Sequence, residues 1–124
     1  SYGGLNLRMQ TPQHQEISYF ADEEEARPQR VWSDFRGLFT GAHTATGLMV
    51  FQHQDNPEYP GAWVEYPNLA WVQPTFPTPG TRYALSREKP LVLKYRLVIH
   101  KGSKPGVSTF ENHWDAYHST DYDF

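Results

Sequence analysis

The chain is 124 residues long, with no cysteine, a formal net charge of −3, and 4 Trp, 8 Tyr and 7 Phe. That length holds one domain, and its aromatic content supplies enough apolar area for a core, which excludes wholesale disorder. There is no disulfide framework or thiolate chemistry; 11 basic against 14 acidic residues leave no footprint for nucleic acid, and no apolar run approaches the roughly 20 residues of a membrane span.

Ten prolines and nine glycines punctuate the chain closely, favouring strands and turns over long helices. Ser1-Tyr2-Gly3-Gly4 carries no signal-peptide pattern and no initiator Met, so the chain reads as a fragment or processed product, with periplasm and cytoplasm both open. Leu5, Leu7 and Met9 alternate with Asn6, Arg8 and Gln10, the pattern of a half-buried strand. Ile17 to Phe20 is a short strand candidate, and Asp22-Glu23-Glu24-Glu25 reads as a solvated turn. Trp32 to Leu38 is the next strand, with Trp32, Asp34 and Arg36 on one side and Val31, Ser33 and Phe35 on the other.

Gly41 to Thr44 is a turn, and Ala45 to Phe51 is apolar on both faces, as an interior strand should be. Gln52 to Gly61 is a loop. Trp63 to Tyr66 and Leu69 to Val72 are short aromatic strands separated by Pro67-Asn68, and Pro74 to Thr81 reads as irregular. The strongest strand signal runs from Leu91 to His100, where Leu91, Leu93, Tyr95, Leu97 and Ile99 form an apolar face that a one-residue slip would expose. One helix is expected near the C-terminus, capped by Ser108 or Thr109, with Phe110, Trp114 and Tyr117 as its apolar stripe; Asp121 to Phe124 should fray. Six or seven short strands between turn signals predict an all-β antiparallel sandwich over residues 1–124, galactose-mutarotase-like or jelly-roll-like, with one short C-terminal helix and no internal repeat.

Chemistry concentrates in the loop Gln52 to Pro60, which carries His53, Asp55, Asn56 and Tyr59 directly after a buried strand. His53 can act as a general base, a donor or a ligand; the simpler reading is that Asp55 and Asn56 make side-chain turns and His53 satisfies a nearby carbonyl. Among six histidines, His113 and His118 stand five apart, which on a helix separates their faces, while His43, His53 and His100 could converge only through the fold. Asp34, Asp55, Glu58 and Glu65 offer carboxylates, but no spacing selects a pair. No serine-nucleophile or phosphate-loop motif is present, and no metal or cofactor is expected. Trp32, Trp63, Tyr66 and Trp71 remain as aromatic platforms, near Arg8, Asp34 and Arg36 in the strand pattern; such faces suit sugar rings, although each Trp could equally fill the core.

Several stretches resemble a known family: Gly3 to Arg8, Trp32-Ser33-Asp34-Phe35, Thr46 to Phe51, the run Asn56-Pro57-x-x-Pro60-x-x-Trp63 after His53, and Leu93 to Gly102 with Tyr95-Arg96 and His100-x-Gly102. In that order they resemble the soluble bacterial β-proteins labelled "methane oxygenase PmoA", from about Tyr2 to Tyr117, and match the C-terminal part of longer members. Gln54 stands where a proline is expected after the loop histidine, and Glu65-Tyr66 follows Trp63 where a basic residue is common. Relatives of that family commonly occur beside sugar-degrading and sugar-oxidising enzymes, so the resemblance implies that the chain binds or processes a carbohydrate or oxidised sugar. It places Arg8, Asp34, His53, Asn56 and Trp63 in a pocket on one sheet face, with Arg8 and Asn56 binding hydroxyl or carboxylate, His53 as acid or base, and Trp63 as the platform. A non-enzymatic binding or assembly module of a larger protein is the alternative, and the family label by itself would imply a metal-dependent oxidoreductase. If a missing N-terminal half supplies sheet partners, strand edges such as Leu91 to His100 should pair with a second copy.

Overall fold

The computed structural model of the protein describes residues 3–19 and 31–119. The turn expected at Asp22 to Glu25 and the tail from Asp121 lie outside them. The strands are β1 Leu7–Arg8, β2 Gln13–Tyr19, β3 Trp32–Leu38, β4 Thr46–Gln52, β5 Ala62–Tyr66, β6 Trp71–Thr75 and β7 Tyr95–Lys101, and the helix α1 is Val107–His118. They form a four-stranded sheet of order β2-β3-β4-β7 and a three-stranded sheet of order β1-β6-β5, antiparallel throughout. This is the all-β sandwich the turn-punctuated sequence predicts, with the short helix as a third layer.

The strands β3 and β4 are interior, which is why neither shows a clean polar face. One side of that sheet presents Trp32, Met49 and Phe51 to the helix stripe of Phe110, Trp114 and Tyr117. Trp32 stacks on Phe110 with ring centroids 5.5 Å apart. On the opposite side Phe35 packs against Ala70 and Val72 of the three-stranded sheet, with Met9, Ile17, Phe39 and Trp63 around them. Val107 joins the aromatic cluster, so α1 starts two or three residues earlier than expected and Gly106, not Ser108 or Thr109, is its cap, without a side-chain hydrogen bond.

Other boundaries differ from the sequence pattern: β2 starts at Gln13, four residues before Ile17, and Leu69 belongs to a 3-10 turn that precedes β6. Pro74 lies inside β6, paired with Trp63 of β5. The Phe76 N–H donates to the Gly3 carbonyl and the Ala70 carbonyl accepts from the Met9 N–H, so by strand alternation Pro74's missing donor also faces β1. The ladder is interrupted there, between the Leu7–Val72 pair and the Gly4–Thr75 bridge, and no donor is needed. A Cβ on Gly4 would come within 2.8 Å of the Pro74 carbonyl, so this close approach requires glycine, whose φ is +91°.

Strand β7 begins at Tyr95, not Leu91. Its partner β4 ends at Gln52, opposite Tyr95, and leaves no further strand to extend the ladder. The expected burial of β7 is also reversed. Val98 packs against the aromatic cluster beneath α1, whereas Leu97 and Ile99, on the face the alternation marks as apolar, are 47% and 82% exposed. The register with β4 and the cover of α1 chose the face, because the three-stranded sheet does not extend over β7.

Candidate functional site

The antiparallel register of the three-stranded sheet sets Arg8 opposite Trp71 and Trp71 opposite Tyr66. Directly paired residues project to the same side of a sheet, so these three form one row across it. Their neighbours Leu7, Val72 and Glu65 take the other side, where Val72 meets Phe35. The row therefore faces away from the sandwich core. A single 3-10 turn, Pro67–Leu69, followed by Ala70 in the left-handed region, folds β5 back on β6 and brings Tyr66 against Trp71.

The Trp71 ring is held in place. The Trp71 indole N–H donates to the Gln73 side-chain oxygen at 3.1 Å, and the Gln73 amide donates to the Gly3 carbonyl at 2.6 Å. Gln73 is buried, so the tether is shielded from water. Tyr66 meets Trp71 edge-on, with centroids 5.4 Å apart, and is 39% exposed. The result is a tethered indole with Tyr66 against its edge and the exposed Arg8 in the same row. Such a surface can stack the C–H face of a pyranose and bind a hydroxyl or carboxylate at its rim.

The five residues grouped by the family resemblance do not share one sheet face. Trp63 pairs with Pro74 and projects inward, half-buried against the Phe35 cluster, on the opposite side of its sheet from Arg8. Asn56 is a buried clamp. Its amide donates to the Lys94 carbonyl at 2.8 Å, and its oxygen accepts from the Lys94 N–H at 2.7 Å. This side chain continues the β4–β7 ladder after β4 has ended, which explains where β7 begins. Gln52 makes the same kind of pairing with the main chain of Gly61. The side-chain turn expected of Asn56 is thus replaced by a long-range bond to the β7 side, and His53 Nδ1 accepts a main-chain N–H where a bond to a carbonyl was expected.

His53 and His118 stack at 4.3 Å between the loop and the end of α1. His53 Nδ1 accepts from the Asp55 N–H at 3.0 Å, and His118 Nε2 accepts from the Gln54 N–H at 3.0 Å. His118 Nδ1 donates to the Trp114 carbonyl at 2.8 Å, which fixes its neutral tautomer. Burial, and secondarily the neighbouring His118, holds the His53 pKa below its ordinary value. Arg96 lies 4.6 Å over the Tyr117 ring, and burial pushes the Tyr117 hydroxyl up to about 12.

Asp34 lies elsewhere, on the helix side of β3 and 1% exposed. His100 Nε2 donates to its carboxylate at 2.5 Å. The imidazole reaches from β7 across β4 only because position 47 is glycine: a Cβ there would lie 2.5 Å from His100 Nε2. Burial raises the Asp34 pKa, although the His100 hydrogen bond and charge pull it the other way. Asp34 is legible in the sequence as a candidate but this partnership is not, its only signal being a glycine within the largely apolar strand β4. His100 pairs with Gly47 and His53 follows Gln52, so the two residues lie at opposite ends of β4, roughly 20 Å apart along the strand at about 3.3 Å per residue. Among the described residues no three His, Cys, Asp or Glu side chains gather as a metal site, and no helix is long and apolar enough to cross a membrane.

A family model, described as a family of unknown function (DUF6807), matches residues 1–115. No curated protein and no solved structure matches the chain. The chain belongs to that family of unknown function.

Proposed function

We propose that this member of the family is a carbohydrate-binding β-sandwich module whose ligand lies on the row of Arg8, Trp71 and Tyr66. The observation that carries the reading is the register of the three-stranded sheet. It aligns a guanidinium with two rings on the outward face, and the Gln73 tether presets the indole before any ligand arrives. The resemblance to the PmoA-like proteins, with their sugar-processing neighbours, supports the same class of ligand. Arg8 favours an oxidised sugar such as a uronate, because a guanidinium binds a carboxylate in bidentate fashion. Among the described residues Arg8 and Tyr66 lie exposed on this face, so binding of a single sugar should be weak, near the millimolar range.

The test is an NMR titration with glucose, galactose and glucuronate, following the Trp indole signals. The Trp71 indole should shift, Trp71→Ala should weaken binding more than tenfold, and Arg8→Ala should weaken glucuronate more than glucose. Shifts confined to Trp63 and His53, or no shift with any of the three sugars, would remove this face from consideration.

A further inference from the structure

We infer that the open edge of β7 is a homodimer interface, in which the β7 strands of two copies pair antiparallel about Val98. This does not rest on the sugar reading, which concerns the other sheet. The sheet order leaves β7 with a strand partner on one side only among the described residues. The direction of its main-chain groups follows from two hydrogen bonds. The Lys94 carbonyl accepts from the His53 N–H, and the Gly102 N–H donates to the Ala45 carbonyl, so the even-numbered positions face β4. By alternation Tyr95, Leu97, Ile99 and Lys101 direct their N–H and C=O groups to the open edge.

A second copy of β7 meets that parity. A two-fold axis at Val98 sets Leu97 opposite Ile99 of the second copy and Tyr95 opposite its Lys101, both of them pairs that exchange main-chain hydrogen bonds. All four outward residues of each strand are then satisfied at once. The two most exposed apolar side chains of the strand, Leu97 and Ile99, also become cross-strand neighbours on one uncovered face. The face continues into an apolar groove of about 190 Å³ lined by Met9, Phe39, Leu48 and Ile99. No lysine opposes a lysine. The single basic pair, Arg96 against His100, projects to the helix side, where Arg96 lies over Tyr117 and His100 is bound to Asp34. Of the devices that keep edge strands apart, Tyr95 to Lys101 has neither proline nor register break, and its inward charge, Arg96, is engaged over Tyr117.

One strand pair is small against the roughly 1,600 Å² of a standard interface, so the dimer should be weak and concentration-dependent. Sedimentation of the purified protein from micromolar to near-millimolar concentration tests it. A monomer–dimer equilibrium is expected, in which Ile99→Lys raises the dissociation constant at least tenfold and Leu85→Lys, an equally exposed apolar position off the edge, leaves it unchanged. Amide exchange at Leu97 and Ile99 should slow with concentration, while Val98 stays protected throughout. Ile99 is almost fully exposed, so its variant keeps the fold, which the dispersion of its NMR spectrum verifies. A chain monomeric at every concentration overturns the inference and leaves the edge to a strand of different sequence. A dimer indifferent to Ile99→Lys overturns it as well.

Discussion

On its helix side the four-stranded sheet meets three large aromatic side chains, and Trp32, Phe51, Phe110 and Trp114 interlock with centroids about 5.5–6.3 Å apart. On its other side the buried contact is Phe35 against Ala70 and Val72, and beyond β4 the sheet leaves Leu97 and Ile99 open. The same sheet is therefore anchored on one face and lightly covered on the other. Stability should reside on the helix side, and the surfaces available for recognition belong to the thin side and its outer sheet.

The largest effect expected is at the anchor. Trp114→Ala empties a buried aromatic site and should cost about 3–5 kcal/mol, against about 2 kcal/mol for Val72→Ala between the sheets. Urea unfolding of both variants measures the contrast, and equal losses would show that the two faces carry equal weight. A smaller effect is expected at the clamp joining the loop to β7. Asn56→Ala leaves the Lys94 N–H without its partner, although the Lys94 carbonyl keeps the His53 N–H, and should cost about 1–3 kcal/mol, while sugar binding persists. Lost binding with unchanged stability would restore Asn56 to a ligand role.

The smallest effect is on pH dependence at the helix end. His53 is held below its ordinary value of 6.5, so as the pH falls the unfolded chain takes up this proton before the folded one. The stability His53 contributes is present above pH 6.5 and is lost as the pH drops through the lowered folded value. His53→Gln should flatten that slope in unfolding measured across this window. Asp34 acts with the opposite sign: its raised pKa makes its contribution greatest at low pH and lost as the pH rises above 3.8 through the folded value.

Part of the candidate site was legible in the chain. Arg8, Tyr66 and Trp71 were visible as strand-borne aromatic and cationic groups, but their alignment depends on the order β1-β6-β5, which joins residues more than 60 positions apart. The grouping of Arg8 with Trp63 failed for the same reason, since sheet registers decide which side of a strand faces the core. Asn56 shows a different limit. An Asn-Pro pair in a loop announces a turn, yet its pairing with Lys94 arises only because β4 stops four residues earlier.

Local pattern determined the strands, by alternation around Leu7 and by bulky apolar runs around Trp32 and Leu48, and the helical stripe of Phe110, Trp114 and Tyr117, because each is a property of a few consecutive residues. Tertiary structure decided which of those faces is covered. In β7 the Leu97–Ile99 face is the more apolar, yet α1 and the aromatic cluster lie over the Val98 side, and the three-stranded sheet ends short of the other. Periodicity says that a strand has two unlike faces, and only the elements packed opposite settle which one meets water.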